Sequence, residues 1–262
     1  MTTAQPLLEV SGLGKHFDGL RAVSELSFRV NQDEVLGIIG PNGAGKTTAV
    51  NLISGVIKPD TGQITFKGER VEGKKPHKLA ELGLVRTFQA TTVYPEQTTR
   101  ENCLRAAHFD LYTGFFSCLF STQYAQQKRA EVERRIDETL ELLELTNFAN
   151  KKTGSLPYGY QKMIGFALAL LARPKLVLLD EPVAGLSAEE TDRVKNTIKI
   201  IHNRGIAVAV IDHNMRFMVD LCNHIIVMQE GKKIAEGPPA AVMADPVVIG
   251  AYLGGQHARA GS

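Results

Sequence analysis

The segment Gly40–Thr48, GPNGAGKTT, carries residues whose types and spacing suit the binding of a nucleoside triphosphate. It matches the phosphate-loop pattern G-x-x-x-x-G-K-[ST] in full, between an apolar run of strand length, Val35–Ile39, and a stretch that can form a helix, Thr47–Ile53. The glycines let successive main-chain N–H groups point into one concavity, and the helix start adds partial positive charge. Lys46 is predicted to reach the β- and γ-phosphates, and the Thr47 hydroxyl to ligate Mg²⁺. The residues predicted to contact the nucleotide are Gly40, Pro41, Asn42, Gly43, Ala44, Gly45, Lys46, Thr47 and Thr48.

Two adjacent carboxylates, Asp180 and Glu181, follow the apolar run Leu176–Leu179 and form the second candidate for chemistry. Carboxylates at the end of a buried strand are costly to desolvate unless they bind a partner such as a metal ion or take part in catalysis. On a strand beside the phosphate loop, Asp180 can hold the Mg²⁺ shell. Glu181 would then be the general base that orients and deprotonates the attacking water, a role worth about 10²–10⁴-fold in rate.

The elements that must position these residues alternate between strand and helix patterns. The region from Leu7 to about Val71 is strand-rich, and beyond residue 174 apolar strands alternate with a helix over Glu189–His202. Between them, Tyr124–Leu145 has the period of an amphipathic helix, with its apolar stripe at Val132, Ile136, Leu140 and Leu143. The sequence therefore predicts an α/β sheet that is interrupted by a helical insert.

Composition excludes several classes of protein. The 262 residues carry 30 basic and 28 acidic side chains, a net charge of +2, so no nucleic-acid partner is predicted. The three cysteines lack metal-site spacing and fit reduced thiols of a cytosolic protein. The N-terminus has no signal-peptide pattern, and the longest apolar run, Met163–Ala172, is about half a membrane span and indicates a buried helix.

The order of these motifs resembles that of the ATP-binding subunits of ABC transporters, over nearly the whole chain. The resemblance implies that Gln89, in VRTFQ, senses Mg²⁺ and the γ-phosphate, and that His213 is the switch histidine. It also implies that Phe17 stacks on adenine. The family signature, usually LSGGQ, corresponds to Leu156, Pro157, Tyr158, Gly159 and Tyr160, which would complete the ATP site of a partner subunit.

Two residues depart from the family pattern. Pro157 replaces the signature serine and so removes a hydroxyl and a main-chain N–H that could bind phosphate. Ser187 stands where the family usually has an aspartate that couples the two ATP sites. An asymmetric heterodimer and a weakly closing homodimer both remain compatible with these departures, and we favour the heterodimer.

Within the family, the chain is most similar to the ATPases of branched-chain amino acid importers. The similarity lies in VRTFQ, in the long insert over residues 102–127, in the variant signature and in the ending AYLG, residues 251–254. It implies ATP and Mg²⁺ as ligands. The implied partners are two membrane permeases, a second ABC ATPase and, indirectly, a periplasmic solute-binding protein, with the chain peripheral on the cytoplasmic side of the inner membrane. The turn Thr91–Thr99, with Tyr94 at its centre, is our candidate for contact with a permease.

The expected fold is a single α/β domain over residues 1–262. A P-loop NTPase core of the ABC type is expected over 1–90 and 166–254, with an antiparallel β subdomain. A helical and signature subdomain is expected over 91–165 and a flexible tail over 255–262. Alternatives are a non-transport ABC ATPase, which usually needs a longer chain, and a regulatory subunit that binds ATP without hydrolysing it. A small GTPase fits poorly, because the chain lacks the Asn-Lys-x-Asp motif.

Overall fold

The computed structural model describes residues 5–87, 93–107 and 122–257, and describes side chains over these ranges except for 122–125 and 253–257. Contacts divide the chain into two compact units. The first unit comprises residues 1–86 and 175–262, and the second comprises residues 87–174.

The strands form two sheets. In chain order they are β1 Leu8–Phe17, β2 Leu20–Val30, β3 Val35–Ile39, β4 Thr61–Phe66, β5 Glu69–Arg70, β6 Leu84–Thr87, β7 Leu176–Asp180, β8 Ala207–Ile211, β9 His224–Gln229 and β10 Lys232–Gly237. Among the described residues, one sheet has the order β2-β1-β4-β5 and is antiparallel, and the other has the order β10-β9-β3-β8-β7-β6.

The helices belong to both units. Those of the first unit are α1 Lys46–Ile53, α2 Pro76–Leu82, α6 Ala188–Asn203, α7 Met215–Leu221, α8 Pro239–Ala244 and α9 Pro246–His257. Those of the second unit are α3 Thr99–Ala106, α4 Thr122–Leu142 and α5 Tyr158–Leu171. None of the helices in the part of the chain described here is both long and apolar enough to span a bilayer.

The six-stranded sheet determines where the candidate residues lie. Strand β3 pairs in parallel with β8 on one side and β9 on the other, and β8 pairs in parallel with β7. Every residue of β3, β7 and β8 is buried, which explains their continuous apolar runs. Because parallel strands end at the same edge of a sheet, the loops that follow these three strands meet there.

The predicted elements are largely confirmed. The helix predicted over 124–145 is α4, and its stripe residues Val132, Ile136, Leu140 and Leu143 are all buried. The α/β fold with a separate antiparallel sheet is confirmed as well. At the C-terminal end, α9 continues to His257, and the rest of the tail expected over 255–262 lies outside the described residues, so its flexibility stays a prediction. This helix begins at Pro246, and proline is favoured at a first helical position because its fixed φ suits the helix and no N–H is needed there.

The second unit has its own local order. Helix α3 begins with a capping box, in which Thr98 accepts a hydrogen bond from the N–H of Glu101 and the Glu101 carboxylate accepts one from the N–H of Thr98. Helix α5 packs against α3 and α4. This unit presents the start of α5, where the predicted signature lies.

Candidate functional site

The phosphate loop joins β3 to α1 and depends on glycine. Gly40, Gly43 and Gly45 have φ of 152°, 83° and 94°, where side chains are disfavoured. A Cβ on Gly40 would lie 2.1 Å from the carbonyl oxygen of Met228, and one on Gly45 would lie 2.3 Å from that of Ala22. The loop is therefore packed against main chain at both ends, and only glycine fits.

The start of α1 is suited to an anion. Gly45 occupies the N-cap position with no capping side chain, and no acidic residue lies in the first turn. The first N–H groups of a helix lack partners within the helix, and the helix dipole favours negative charge there. Thr47 is exposed and Thr48 is partly exposed in this turn, and Asn42 and Gly43 are exposed in the loop before it.

Lys46 is the buried cation of the site. Its side-chain Nζ donates hydrogen bonds to the carbonyl oxygens of Gly40, at 2.7 Å, and of Pro41, at 3.0 Å, and only 8% of the residue is exposed. Burial lowers the pKa of Lys46, while the nearby carboxylates of Glu181, Asp180 and Asp212 raise it. The parallel order β3-β8-β7 places the end of β3, which leads to Lys46, at the same sheet edge as the carboxylates that end β7 and follow β8, although the two halves of the site are far apart in sequence.

Asp180 is the last residue of β7, and its side chain is only 2% exposed. Its Oδ2 accepts a hydrogen bond of 2.7 Å from Nη2 of Arg86, which forms a buried ion pair. Within the described ranges, no group of three or more His, Cys, Asp or Glu side chains could hold a metal ion. Mg²⁺ usually binds through one or two carboxylates together with substrate phosphates, so the positive evidence for such a site is the single buried carboxylate of Asp180 next to the phosphate loop.

Glu181 has an unusual backbone for a residue with a side chain. Its φ of 47° lies in the left-handed region, and its N–H donates a hydrogen bond of 2.7 Å to the carbonyl of Ile211 on β8. Such conformations cost about 1–3 kcal/mol and cluster at functional sites. The side chain is 30% exposed, so its carboxylate can meet solvent.

His213 follows β8 and lies next to Glu181. Its Nδ1 is 3.9 Å from Oε1 of Glu181 and 3.8 Å from Oδ1 of Asp212, and its side chain is 61% exposed. The Asp212 Oδ1 accepts a hydrogen bond from the N–H of Asn214, and Asn214 caps α7. The imidazole therefore lies near the carboxylate of the predicted base.

Other predicted site residues lie elsewhere or outside the described residues. Phe17 ends β1, is exposed, and has the Nζ of Lys15 5.5 Å from its ring centroid, so its adenine contact stays a prediction. Gln89 lies outside the described residues, so its role also stays a prediction.

The predicted signature lies in the second unit. Pro157 is the N-cap of α5 and provides no capping hydrogen bond, and the first turn contains no acidic residue. Leu156 and Gly159 are buried, Tyr158 is exposed, and the ring centroid of Tyr160 is 4.3 Å from that of Phe148. The start of α5 thus combines an uncapped helix terminus with a small residue one position inside it.

Ser187 caps α6 in the first unit. Its Oγ accepts a hydrogen bond from the N–H of Glu190, and its own N–H donates to the Glu190 carboxylate. The Ser187 hydroxyl therefore serves as the N-cap of α6.

Sequence reasoning missed several residues of the site. Arg86 pairs with Asp180, and Asp212 lies next to His213. The N–H of Gly231 donates to the carbonyl of Ala44 in the phosphate loop. The hydroxyl of Tyr252 is sealed from solvent beside the Gly40 main chain, and burial raises its pKa to about 12. The segments VRTFQ and AYLG, which contain Arg86 and Tyr252, carried the family resemblance, but that signal gave neither residue a role.

The chain is similar to known proteins over nearly its full length. A family model described as ABC transporter matches residues 23–184, and one described as branched-chain amino acid ATP-binding cassette transporter matches residues 232–258. The chain is 40% identical over 252 residues to the high-affinity branched-chain amino acid transport ATP-binding protein BraF of Pseudomonas aeruginosa, covering 96% of this chain and 99% of that one. It is 36% identical, with the same coverage, to LivG of Escherichia coli, which has the same description.

Solved structures agree with the sequence comparisons. The ADP conformation of an ATP-binding cassette of an ABC transporter is 31% identical, with a TM-score of 0.83, and the match covers 96% of this chain and all of that one. A nucleotide-free ATP-binding cassette from an ABC transporter is 30% identical, with a TM-score of 0.82, over 95% of this chain and 99% of the other.

Proposed function

This chain belongs to the ABC transporter family of ATP-binding proteins, and we propose on that premise that it powers a membrane importer of branched-chain or related amino acids. As a member of this family, it is an ATPase. The observation that carries the ATPase part of the proposal is that Lys46, Asp180, Glu181 and His213 all lie at the sheet edge where the parallel strands β3, β7 and β8 end.

We propose that the phosphate loop from Gly40 to Thr48 binds the triphosphate of ATP. Its glycines allow main-chain N–H groups to approach the phosphates, and Lys46 can exchange its bonds with Gly40 and Pro41 for bonds to phosphate oxygens. Thr47, Asp180 and Gln89 would hold Mg²⁺, which neutralises charge on the triphosphate oxygens. Phe17 would stack on the adenine ring.

Glu181 would accept the proton of the attacking water. The water oxygen forms a bond to the γ-phosphorus, the bond from that phosphorus to the oxygen of the β-phosphate breaks, and ADP and inorganic phosphate leave. His213, next to Glu181, would hold the water and the γ-phosphate in line. The closeness of Nδ1 of His213 to Oε1 of Glu181 supports this division of roles.

The proposed partners are a second ABC ATPase and two permeases on the cytoplasmic face of the inner membrane, with a periplasmic binding protein that selects the solute. The signature from Leu156 to Tyr160 would face the partner's ATP site. Pro157 makes that contact weaker than a serine would, which favours two unlike ATPases in one dimer. Dimer closure would move the permeases, and hydrolysis would reopen the dimer.

The proposed contact with a permease is the turn Thr91–Thr99, whose first two residues lie outside the described residues. Tyr94 is exposed, and the guanidinium carbon of Arg105 is 4.6 Å from its ring centroid. The buried side chain of Asn102 holds the turn by bonds to both the N–H and the carbonyl of Tyr94. A rigid turn with an exposed aromatic residue suits a contact with an inserted helix.

The amino acid specificity is carried over from relatives, whose names describe branched-chain amino acid transport. The test is purification of the chain from membranes with its associated proteins. We expect two permeases and a second ATPase, with ATP hydrolysis stimulated by a solute-binding protein loaded with leucine, isoleucine or valine. Recovery of the chain on ribosomes or DNA, or as an ATP-binding subunit without turnover, would contradict the proposal.

A further inference from the structure

Arg86 donates side-chain hydrogen bonds to three described residues of the first unit, although the sequence analysis gave it no role. Its Nη2 donates to Oδ2 of Asp180 at 2.7 Å, and its Nη1 donates to Oδ1 of Asn51 at 2.6 Å and to Oγ of Ser54 at 3.1 Å. Only 9% of the Arg86 side chain is exposed. Because the donors of a guanidinium lie in one rigid plane, these acceptors fix its position.

The acceptors belong to two elements of the candidate site. Asp180 ends β7, whereas Asn51 lies in the last turn of α1 and Ser54 is its C-cap. The Ser54 hydroxyl donates in turn to the carbonyl of Val50, so it is itself held in place. Arg86 therefore connects strand β6 to the carboxylate on β7 and to the helix that begins at Lys46.

The ion pair restricts the Asp180 carboxylate. A buried carboxylate is stable only when it is paired and hydrogen-bonded, and removal of one partner leaves an uncompensated charge. The guanidinium binds Oδ2 and so fixes the direction in which the second oxygen, Oδ1, faces. Carboxylates that bind metals are commonly oriented by such outer partners.

We propose that Arg86 is a positioning residue, which holds Asp180 in the orientation that serves the Mg²⁺ accompanying ATP. The inference rests on the proposed function, in which Asp180 is part of the metal site. Loss of an outer partner typically lowers metal affinity or activity by about 10–100-fold. In this proposal Arg86 acts through Asp180 and needs no contact with the nucleotide.

The test is Arg86→Lys, which keeps the charge and loses the rigid fork. The purified full-length chain is titrated with a fluorescent ATP analogue, once with Mg²⁺ and once with EDTA. In EDTA, we expect Arg86→Lys to bind the ATP analogue as tightly as the wild type does. With Mg²⁺, we expect the variant to lose most of the increase in affinity that Mg²⁺ gives the wild type. In the assembled transporter, turnover at this subunit's site should fall by about 10–100-fold. The Mg²⁺ concentration that gives half of the maximal rate should rise.

The matched control is Arg70→Lys. Arg70 also pairs with a carboxylate, that of Glu72, but its side chain is exposed, so its substitution should leave every one of these measurements unchanged. If Arg86→Lys does not fold, Ser54→Ala removes one anchor of the guanidinium without changing any charge, and a smaller loss in the same direction is expected.

The proposal is overturned if the Mg²⁺-dependent gain in affinity is the same as in the wild type. It is overturned as well if affinity in EDTA falls in parallel with turnover, since that would indicate general damage to the phosphate loop. Failure of the proposed metal site is distinguishable, because the wild-type chain would then gain no affinity for the ATP analogue on addition of Mg²⁺.

Discussion

At the scale of single residues, the site combines groups that would be unfavourable elsewhere. Lys46 is buried against main-chain carbonyls, and Glu181 has a left-handed backbone without being glycine. The bonds of Lys46 fix its charged group at the start of α1, and the backbone of Glu181 places its carboxylate next to His213. We interpret the strain at Glu181 as the means by which its carboxylate leaves the sheet, since Asp180 directly before it points into the buried cluster.

Glu181→Gln tests the assignment of the base at this scale. The amide keeps the size of the side chain but cannot accept a proton, so ATP should still bind while turnover at this subunit's site falls by about 10²-fold or more. The measurement is conversion of radiolabelled azido-ATP cross-linked to this subunit in the assembled complex. Glu189→Gln, on the exposed first turn of α6, is the control. Conversion at the wild-type rate would show that another group is the base.

At the scale of elements, the turn between β9 and β10 supports the phosphate loop. The N–H of Gly231 donates to the carbonyl of Ala44, and the carbonyl of Gly231 accepts from the N–H of Ser24 on β2. Gly231 has φ of 78°, and a Cβ there would lie 2.9 Å from the carbonyl oxygen of Ala22. The turn thus connects the antiparallel sheet to the loop that is expected to hold the phosphates.

Gly231→Ala should disturb this support. The new methyl group must move the turn away from β2, which weakens the bond to Ala44. We expect ATP affinity to fall about fivefold, equivalent to one main-chain hydrogen bond of about 1 kcal/mol. Gly205→Ala is a matched control, because Gly205 has a similar φ of 77° but nothing within 4 Å of its Cβ position.

Both glycine variants should lose about 1–3 kcal/mol of folding stability from the left-handed backbone, measured by chemical denaturation. Only Gly231→Ala should weaken binding of ATP, measured by fluorescence titration. Equal ATP affinities in the two variants would show that the turn does not support the phosphate loop.

Elements with a strong local pattern could be predicted from the sequence. The phosphate loop follows from its glycines, and α4 follows from the four-residue spacing of Val132, Ile136 and Leu140. Helix α3 could have been found from the Thr98 and Glu101 capping box, whereas its eight residues are too few for a clear apolar period. The contact of Arg86 with Asp180 joins residues 94 positions apart, and a local sequence pattern cannot predict which distant residues will pair.

At the scale of the whole molecule, the chain is one half of an ATPase pair in our proposal. Its own phosphate loop and carboxylates form one site, and its signature contributes to the other. Pro157 starts α5 without a capping hydrogen bond. A serine at this position would supply both an N–H and a hydroxyl to the partner's nucleotide, and it would also be a better helix cap.

Pro157→Ser tests this division of labour. In a complex that also carries Glu181→Gln, the remaining phosphate release comes from the partner's site. We expect Pro157→Ser to raise that release by about 10–100-fold, as hydrogen bonds to charged groups contribute about 1.5–3 kcal/mol. Pro157→Ala is the control, because it restores the N–H without the hydroxyl. Absence of any residual release in the Glu181→Gln complex would instead indicate two identical subunits.

Ser187 has a consequence for how the two halves of such a pair communicate. Its hydroxyl and its N–H are both engaged with Glu190 at the start of α6, and it offers no carboxylate to a neighbour. Information that phosphate has left one site would then cross the dimer mainly through the corresponding loop of the other ATPase. In the proposed heterodimer, signalling between the two sites would therefore be directional, and we expect the sites to take turns in a set order instead of at random.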